Sequence, residues 1–221
     1  NYYQTNVMGT RNVVDACRRN GVSRLVYTSS PSVTFQGQDQ RGVDESAAYP
    51  RRWLACYPRS KAMAEQHVLA ASGQNGLLTC ALRPHLIWGV GDKHLIPTLL
   101  ARAQAGKLRR VGDGRNLVDI VYVENAARAH LLAADALLPG SPAAGRPYFI
   151  SQGEPVNLWR WIDEILALAS LPPVGRSVSP AVAWCMGATM ETAYALFRVN
   201  GDPPMTRFLA AQLATSHYFD I

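Results

Sequence analysis

Leu77-Leu78-Thr79-Cys80-Ala81-Leu82 is a near-continuous apolar run. A strand covered on both faces has this composition, because neither row of its side chains meets water. Ser72-Gly73-Gln74-Asn75-Gly76 breaks the chain just before it. Upstream of the break, a helix is predicted from Tyr57 to about Ala71, with Pro58 at its first position, where a missing N–H costs little. Further upstream, Arg24-Leu25-Val26-Tyr27-Thr28 reads as a strand that ends in Ser29-Ser30-Pro31. Strand, crossover helix and parallel strand make a right-handed βαβ unit. The connection between Pro31 and Cys56 carries Gly37, Gly42 and Pro50. Its length marks it as a functional loop.

This topology places chemistry. The crossover helix runs antiparallel to its strands, so its N-terminus lies at their carboxyl ends, where open parallel sheets bind ligands. Ser29-Ser30 and Arg83-Pro84-His85 end the two strands on that side. Tyr57 and Lys61 open the helix four residues apart and share one face. A phenol titrates near ~10 and is a poor proton donor or acceptor at neutral pH. A neighbouring ammonium favours the phenolate and brings the group toward acid–base work.

Outward from this unit, a first helix is predicted over Tyr3–Arg19, with Asn6, Thr10, Val13, Val14 and Cys17 on one face and Asn20-Gly21 as its C-cap. Downstream, helices are expected near 95–105, 124–138 and 158–169, with strands at 117–122 and 148–150 and a Gly/Pro-rich linker at 139–147. The apolar stretch 180–199 contains Thr189, Glu191, Thr192 and Arg198. A membrane span needs ~20 predominantly apolar residues. This stretch reads as a helix of the substrate region, with membrane-surface contact as the alternative.

The 221 residues are 48% hydrophobic and 17% charged, which suits one globular unit with a sizeable core and excludes a disordered or collagen-like chain. Cys17, Cys56, Cys80 and Cys185 form no C-x-x-C pair and read as free thiols of a reducing compartment, so a cytoplasmic location is expected, with a membrane-peripheral one as the alternative. The net charge of +6 is scattered in small clusters such as Arg18-Arg19 and Arg109-Arg110. No basic stripe is interleaved with aromatics, so nucleic acid is not an expected partner. No His/Asp/Glu group has metal-ligand spacing, and no metal is expected.

Five segments in register carry a resemblance: Asn6-Val7-Met8-Gly9-Thr10, Thr28-Ser29-Ser30-Pro31-Ser32-Val33, the Tyr57–Lys61 pair, Leu82-Arg83-Pro84 with Ile87-Trp88-Gly89, and Tyr122-Val123-Glu124-Asn125-Ala126. Together they resemble the extended short-chain dehydrogenase/reductases, and within them the 3β-hydroxysteroid dehydrogenase/isomerase family. The resemblance reaches its 2-alkyl-3-oxoalkanoate reductase and sterol 4α-carboxylate 3-dehydrogenase branches. It implies an α/β fold, the C-terminal part of a Rossmann-like doubly wound parallel sheet with a smaller α/β substrate-binding region. Residues 1–92 would be the C-terminal half of the dinucleotide domain. Residues 93–221 would be mainly substrate-binding, with 117–138 returning to the Rossmann core. The family's opening strand and G-x-x-G-x-x-G turn have no match here. They are expected to precede Asn1, and a final segment to follow Ile221, so the chain is expected to be a fragment, inactive alone.

The resemblance also implies roles. Tyr57 would be the acid in carbonyl reduction and the base in oxidation. Lys61 would lower the Tyr57 pKa and bind the nicotinamide ribose, and Ser30 would donate to the substrate oxygen. Asn6 would contact cofactor or a relay water. Pro84 and Ile87 would lie against the nicotinamide of NAD or NADP, while His85 beside them reads as structural. The expected reaction is hydride transfer at the CH–OH group of a small apolar substrate, of the 3-hydroxy/3-oxo steroid or 2-alkyl-3-oxoalkanoate type, in a protein that could pair as a homodimer. A sugar-nucleotide epimerase and a non-catalytic dinucleotide sensor are the alternatives. Pro31-Ser32 stands where dehydratases carry Asp-Glu, and Val118 stands where sugar-nucleotide enzymes place arginine before Asp119. Trp53, Leu54, Leu86, Trp88, Trp184 and Met186 would give an apolar lining.

Overall fold

The computed structural model describes residues 2–221. A wide, π-wound segment, Tyr3–Met8, runs into helix α1 (Gly9–Arg19). Val7 and Val14 are its buried residues, with Cys17 half-buried, whereas Val13 is half exposed. The predicted face therefore loses Val13 and gains Val7, while Asn6, Thr10, Val14 and Cys17 stay on it. Val7, Thr10, Val14 and Cys17 recur at alternating spacings of three and four and form one stripe, and Val13 is turned by about 100° from Val14. Strand β1 (Arg24–Thr28) follows, then a 3₁₀ turn (Pro31–Thr34) and β2 (Gln40–Val43), so the connection expected to be one irregular loop holds two short elements.

Helix α2 (Cys56–Ala70) begins one residue before the predicted start. Pro58 is its third residue, still within the first turn, where backbone N–H groups have no intrahelical acceptor. β3 (Leu78–Pro84) pairs parallel with β1, Val26 opposite Cys80 and Thr28 opposite Leu82. After β4 (Ile87–Trp88) come α3 (Leu95–Gln104), β5 (Arg110–Val111), β6 (Leu117–Val118), β7 (Val121–Tyr122) and α4 (Val123–Ala136). The single strand predicted at 117–122 is thus two strands in two sheets. Asp119 and Ile120 divide it by turning to other partners: Asp119 Oδ2 accepts from Phe219 N at 2.9 Å, and the Ile120 carbonyl accepts from Gln152 N at 3.0 Å.

β8 (Pro147–Ile150) pairs parallel with β3 and completes a sheet of order β1-β3-β8. Tyr148–Ile150 therefore extends the parallel sheet, although the sequence division assigns it to the second region. The chain ends through β9 (Val156–Asn157), α5 (Leu158–Leu168), β10 (Ser177–Val178), α6 (Pro180–Leu196), α7 (Arg207–Ala214) and β11 (His217–Phe219). β11 lies between β2 and β6 in a second sheet of order β2-β11-β6-β9.

Alternation along β1 assigns the faces of the first sheet. Leu25 and Tyr27 pack with Val14, Val68, Ala71 and Leu77 under α1 and α2. On the other row, Arg24 donates to the Ala134 carbonyl at 3.1 Å, and Thr28 Oγ1 meets His130 Nε2 at 2.7 Å, both on α4. Helices thus cover both faces, which explains why β3 is buried along nearly its whole length. A separate core forms around Trp159, Ile162 and Leu166 of α5, joined by Val111, Val118, Ala183 and Ala210.

Helices α6 and α7 cross closely at Gly187. A Cβ there would stand 2.5 Å from the Thr206 carbonyl carbon, so only glycine fits. Glu191 binds Arg207 Nε at 2.6 Å beside that crossing. Trp184, Leu196 and Phe197 on this hairpin are exposed. Among the described residues, no helix is long and apolar enough to cross a membrane.

Candidate active site

Ser30 stands in extended conformation at the N-cap of the 3₁₀ turn, where its Oγ accepts from Ser32 N at 3.2 Å and shares a 2.8 Å hydrogen bond with Ser32 Oγ. The Ser-Pro-Ser order accounts for this local structure: an N-cap hydroxyl satisfies a free N–H, and proline supplies the helical φ of the next position. Ser30, Tyr57, Pro84 and Leu86 line one cavity of about 120 Å³. The βαβ crossover brings these residues together from three elements far apart in sequence.

Tyr57 is half-buried, and the Tyr2 ring packs edge-on against it with centroids 5.6 Å apart. Burial raises the Tyr57 pKa, and the Ser30 hydroxyl pulls it part of the way back. Lys61 does not line the cavity. Its Nζ donates to the Thr28 carbonyl at the end of β1 at 2.5 Å and lies 4.4 Å from the centre of the Tyr27 ring. Burial lowers its pKa to about 8 against the opposing pull of Glu65. In this state the polar neighbour acting on Tyr57 is Ser30, whereas the sequence reading gives that part to Lys61. Sharing a helix face fixes where the two side chains start, and the strand-end carbonyl decides where the longer one ends. An ammonium carries three donors. One is used on Thr28, and two remain for a vicinal diol such as a ribose. The donor set therefore fits the cofactor expected from the sequence.

The Asn6 amide has a partner on α2. Its Nδ2 donates to Ser60 Oγ at 2.9 Å, and Ser60 Oγ donates to the Tyr57 carbonyl at 2.8 Å. Asn6 sits in the π-wound segment, a geometry that recurs at functional sites because it re-aims a side chain. It anchors the first turn of α2, and so the Tyr57 backbone, to the preceding helix. Asn6→Ala is expected to lower stability by about 1 kcal/mol, the usual net worth of one hydrogen bond, read from urea unfolding. An unchanged midpoint would show that the contact carries no load.

Pro84 and Ile87 lie on either side of a strained turn in which Leu86 has φ +37°. A bulky residue there costs energy and is held by its surroundings, as at many ligand sites. Pro84 lines the cavity, while Ile87 is partly exposed in a neighbouring groove with Trp88 and Gly89. Of the six apolar residues expected to line the site, only Leu86 borders this cavity. Trp88 instead packs edge-on against Trp161, and Trp184 and Met186 are exposed.

Sequence reasoning missed His217, Phe208 and Gln212, which α7 and β11 carry to the cavity from the chain end. No local pattern marks them, since only the pairing of β11 with β2 and β6 brings them there. His85, read as structural, also lines the cavity. Among the described residues, no cluster of three or more His, Cys, Asp or Glu is arranged to hold a metal ion.

The sequence model of the 3-beta hydroxysteroid dehydrogenase/isomerase family matches residues 1–171. A 2-alkyl-3-oxoalkanoate reductase of Stenotrophomonas maltophilia is 48% identical over 100% of this chain and 67% of its own length. The decarboxylating sterol-4-alpha-carboxylate 3-dehydrogenase of Schizosaccharomyces pombe is 38% identical over 100% of this chain and 65% of its own. The chain thus spans about two thirds of the length of these relatives. Among solved structures, MoeE5 in complex with UDP-glucose and NAD is similar at 28% identity and a TM-score of 0.63, covering 79% of this chain and 57% of its own.

Proposed function

Because the chain belongs to the 3-beta hydroxysteroid dehydrogenase/isomerase family, we propose that its cavity serves an NAD- or NADP-dependent interconversion of a secondary alcohol and a ketone on an apolar substrate. The observation that carries this reading is the convergence of Ser30 and Tyr57 on one cavity, with Lys61 Nζ held at the Thr28 carbonyl at the end of β1. A bound nicotinamide dinucleotide supplies the hydride in reduction and accepts it in oxidation. In reduction, Ser30 Oγ–H and the Tyr57 hydroxyl donate to the substrate carbonyl oxygen. As negative charge develops there, Ser30 stabilises it and the Tyr57 proton moves onto it. In oxidation the proton returns to the phenolate. Lys61 would hold the ribose, and the backbone at Pro84 and Ile87 would lie beside the nicotinamide.

A sugar nucleotide fits the cavity less well. No arginine or lysine lines it, so a pyrophosphate would lack the bidentate partner it usually finds. The substrate class is tested by following NADH and NADPH oxidation with a 2-alkyl-3-oxoacid, a 3-oxosteroid and a UDP-hexose. Turnover of the UDP-hexose alone would refute the apolar-substrate reading.

A pH dependence follows from Lys61. Its pKa is lowered to about 8, so the ammonium is charged below that pH and neutral above it. The raised Tyr57 pKa keeps the phenol protonated across the same range. The kcat/KM for reduction is therefore expected to fall as pH rises through about 8, a limb set by Lys61. Arginine stays charged in proteins, so Lys61→Arg should remove the limb from whatever activity it retains. A flat wild-type profile between pH 7 and 9 would contradict the assignment.

A further inference from the structure

Ser32 stands two residues after Ser30 in the wall of the same cavity and is buried, with 5% of its surface exposed. The turn that carries it is braced on several sides. Pro31 has a fixed φ, Thr34 Oγ1 donates to the Pro31 carbonyl at 3.0 Å, and Gln40 Nε2 donates to Thr34 Oγ1 at 3.1 Å. Ser32 is thereby held against Ser30 by two contacts. Its N–H donates to Ser30 Oγ at 3.2 Å, and the two hydroxyl oxygens lie 2.8 Å apart.

A hydroxyl carries one proton and accepts at two lone pairs, so the contact between the oxygens could run in either direction. Two observations fix it. Among the described residues, Ser32 Oγ has no hydrogen-bond partner besides Ser30 Oγ, which is therefore the acceptor for its proton. The Ser30 hydroxyl also favours the phenolate form of Tyr57, which a hydroxyl does by donating toward the phenol oxygen. Its single proton is then directed to Tyr57 and is not given to Ser32. Both lone pairs of Ser30 Oγ are taken, one by the N–H and one by the O–H of Ser32. What Ser30 has left to offer is one proton, on the side of Tyr57.

We propose that Ser32 is a positioning residue for this site: by filling both lone pairs of Ser30 Oγ, it holds the Ser30 proton toward the reacting oxygen of a bound ketone and strengthens it as a donor. A hydroxyl that accepts a hydrogen bond has its own O–H bond polarised, so the chain Ser32–Ser30–ketone oxygen gains at its last link. Ser32 acts through Ser30 and does not touch the reacting atoms. The catalytic part rests on the proposed alcohol–ketone reaction, whereas the serine relay exists before any substrate binds.

The test is a double-mutant cycle in the whole protein, with cofactor and either a 2-alkyl-3-oxoacid or a 3-oxosteroid, whichever is reduced faster. Ser32→Ala is expected to lower kcat by about three- to tenfold, the worth of one net hydrogen bond, and to leave KM within about twofold. Ser30→Ala should cost about 10²–10³-fold, as removal of one oxyanion donor does. The double variant should be no slower than Ser30→Ala, because Ser32 then has nothing to act through. A Ser32 with a merely structural part would leave kcat unchanged. A Ser32 that touched the substrate would cost as much without Ser30 as with it. Either result overturns the proposal. A second readout needs no turnover. In protein labelled with ¹³Cζ-tyrosine, the Tyr57 signal, identified by its loss in Tyr57→Phe, should move in Ser30→Ala and move the same way, by less, in Ser32→Ala. A Tyr57 signal in Ser32→Ala that coincides with wild type overturns the relay. Absence of turnover with every ketone, alongside the expected shifts, would count against the proposed reaction and not against the relay.

Discussion

Tyr57→Phe is expected to reduce kcat by about 10²–10⁴-fold in the whole protein, the usual contribution of a positioned general acid. The substitution removes one oxygen and leaves the ring, so the edge contact with Tyr2 and the first turn of α2 should persist. The Asn6–Ser60–Tyr57 carbonyl chain is also untouched, because it ends on the backbone. Cofactor affinity, followed by quenching of protein fluorescence, should change by less than tenfold, since Lys61 keeps its spare donors. The loss then falls on the proton-transfer step, with kcat and kcat/KM declining together. Turnover within a factor of two of wild type would remove Tyr57 from the mechanism. A parallel collapse of cofactor binding would assign it to binding instead.

Arg83→Met is expected to destabilise the fold by about 3–5 kcal/mol, the typical cost of leaving one partner of a buried ion pair alone. Arg83 and Glu65 are essentially inaccessible, with side chains 1% and 0% exposed. The guanidinium grips the carboxylate with two bonds, Nε to Oε2 at 3.1 Å and Nη2 to Oε1 at 2.6 Å, and Tyr49 donates to Oε1 at 2.6 Å. The guanidinium carbon also lies 5.1 Å from the centre of the Phe149 ring, on the neighbouring strand β8. Methionine would fill much of the volume but leave the Glu65 carboxylate with Tyr49 as its remaining side-chain donor. Urea unfolding should show the loss as a lower midpoint. Adding Glu65→Leu to Arg83→Met should recover most of it, because the uncompensated charge is then gone. A single-variant loss below about 1 kcal/mol would mean that water or Tyr49 satisfies the carboxylate.

These two predictions test residues of different legibility. Tyr57 is visible in the sequence because a helix start and a lysine one turn on mark it locally, and because the order of the βαβ unit puts the strand-end serine at the same end of the sheet. Arg83 is quoted in the same sequence motif, yet its pairing with Glu65 is not evident, since a helix residue and a strand residue meet only after the crossover folds back. The same limit explains the apolar lining. Trp88 and Trp184 are large and hydrophobic, but one went to the Trp161 core and the other to the surface. Composition cannot distinguish those destinations, because burial is decided by which element packs opposite.

What the sequence determined by itself is the βαβ unit and the position of its chemistry. An unbroken apolar strand, a Gly-rich break and a helix start set the order of elements, and the handedness of the crossover leaves one arrangement at the carboxyl ends. That order places Ser30, Tyr57 and Pro84 at those ends, whereas the roles proposed for them come from the family resemblance. Tertiary structure decided the directions of long side chains and the closure of the cavity. Lys61 turns to the Thr28 carbonyl, Asn6 is used on Ser60, and β11 returns from the chain end to set His217 against His85. Local sequence carries periodicity and turn chemistry, whereas hydrogen bonds between residues 132 positions apart exist only once the sheets have formed.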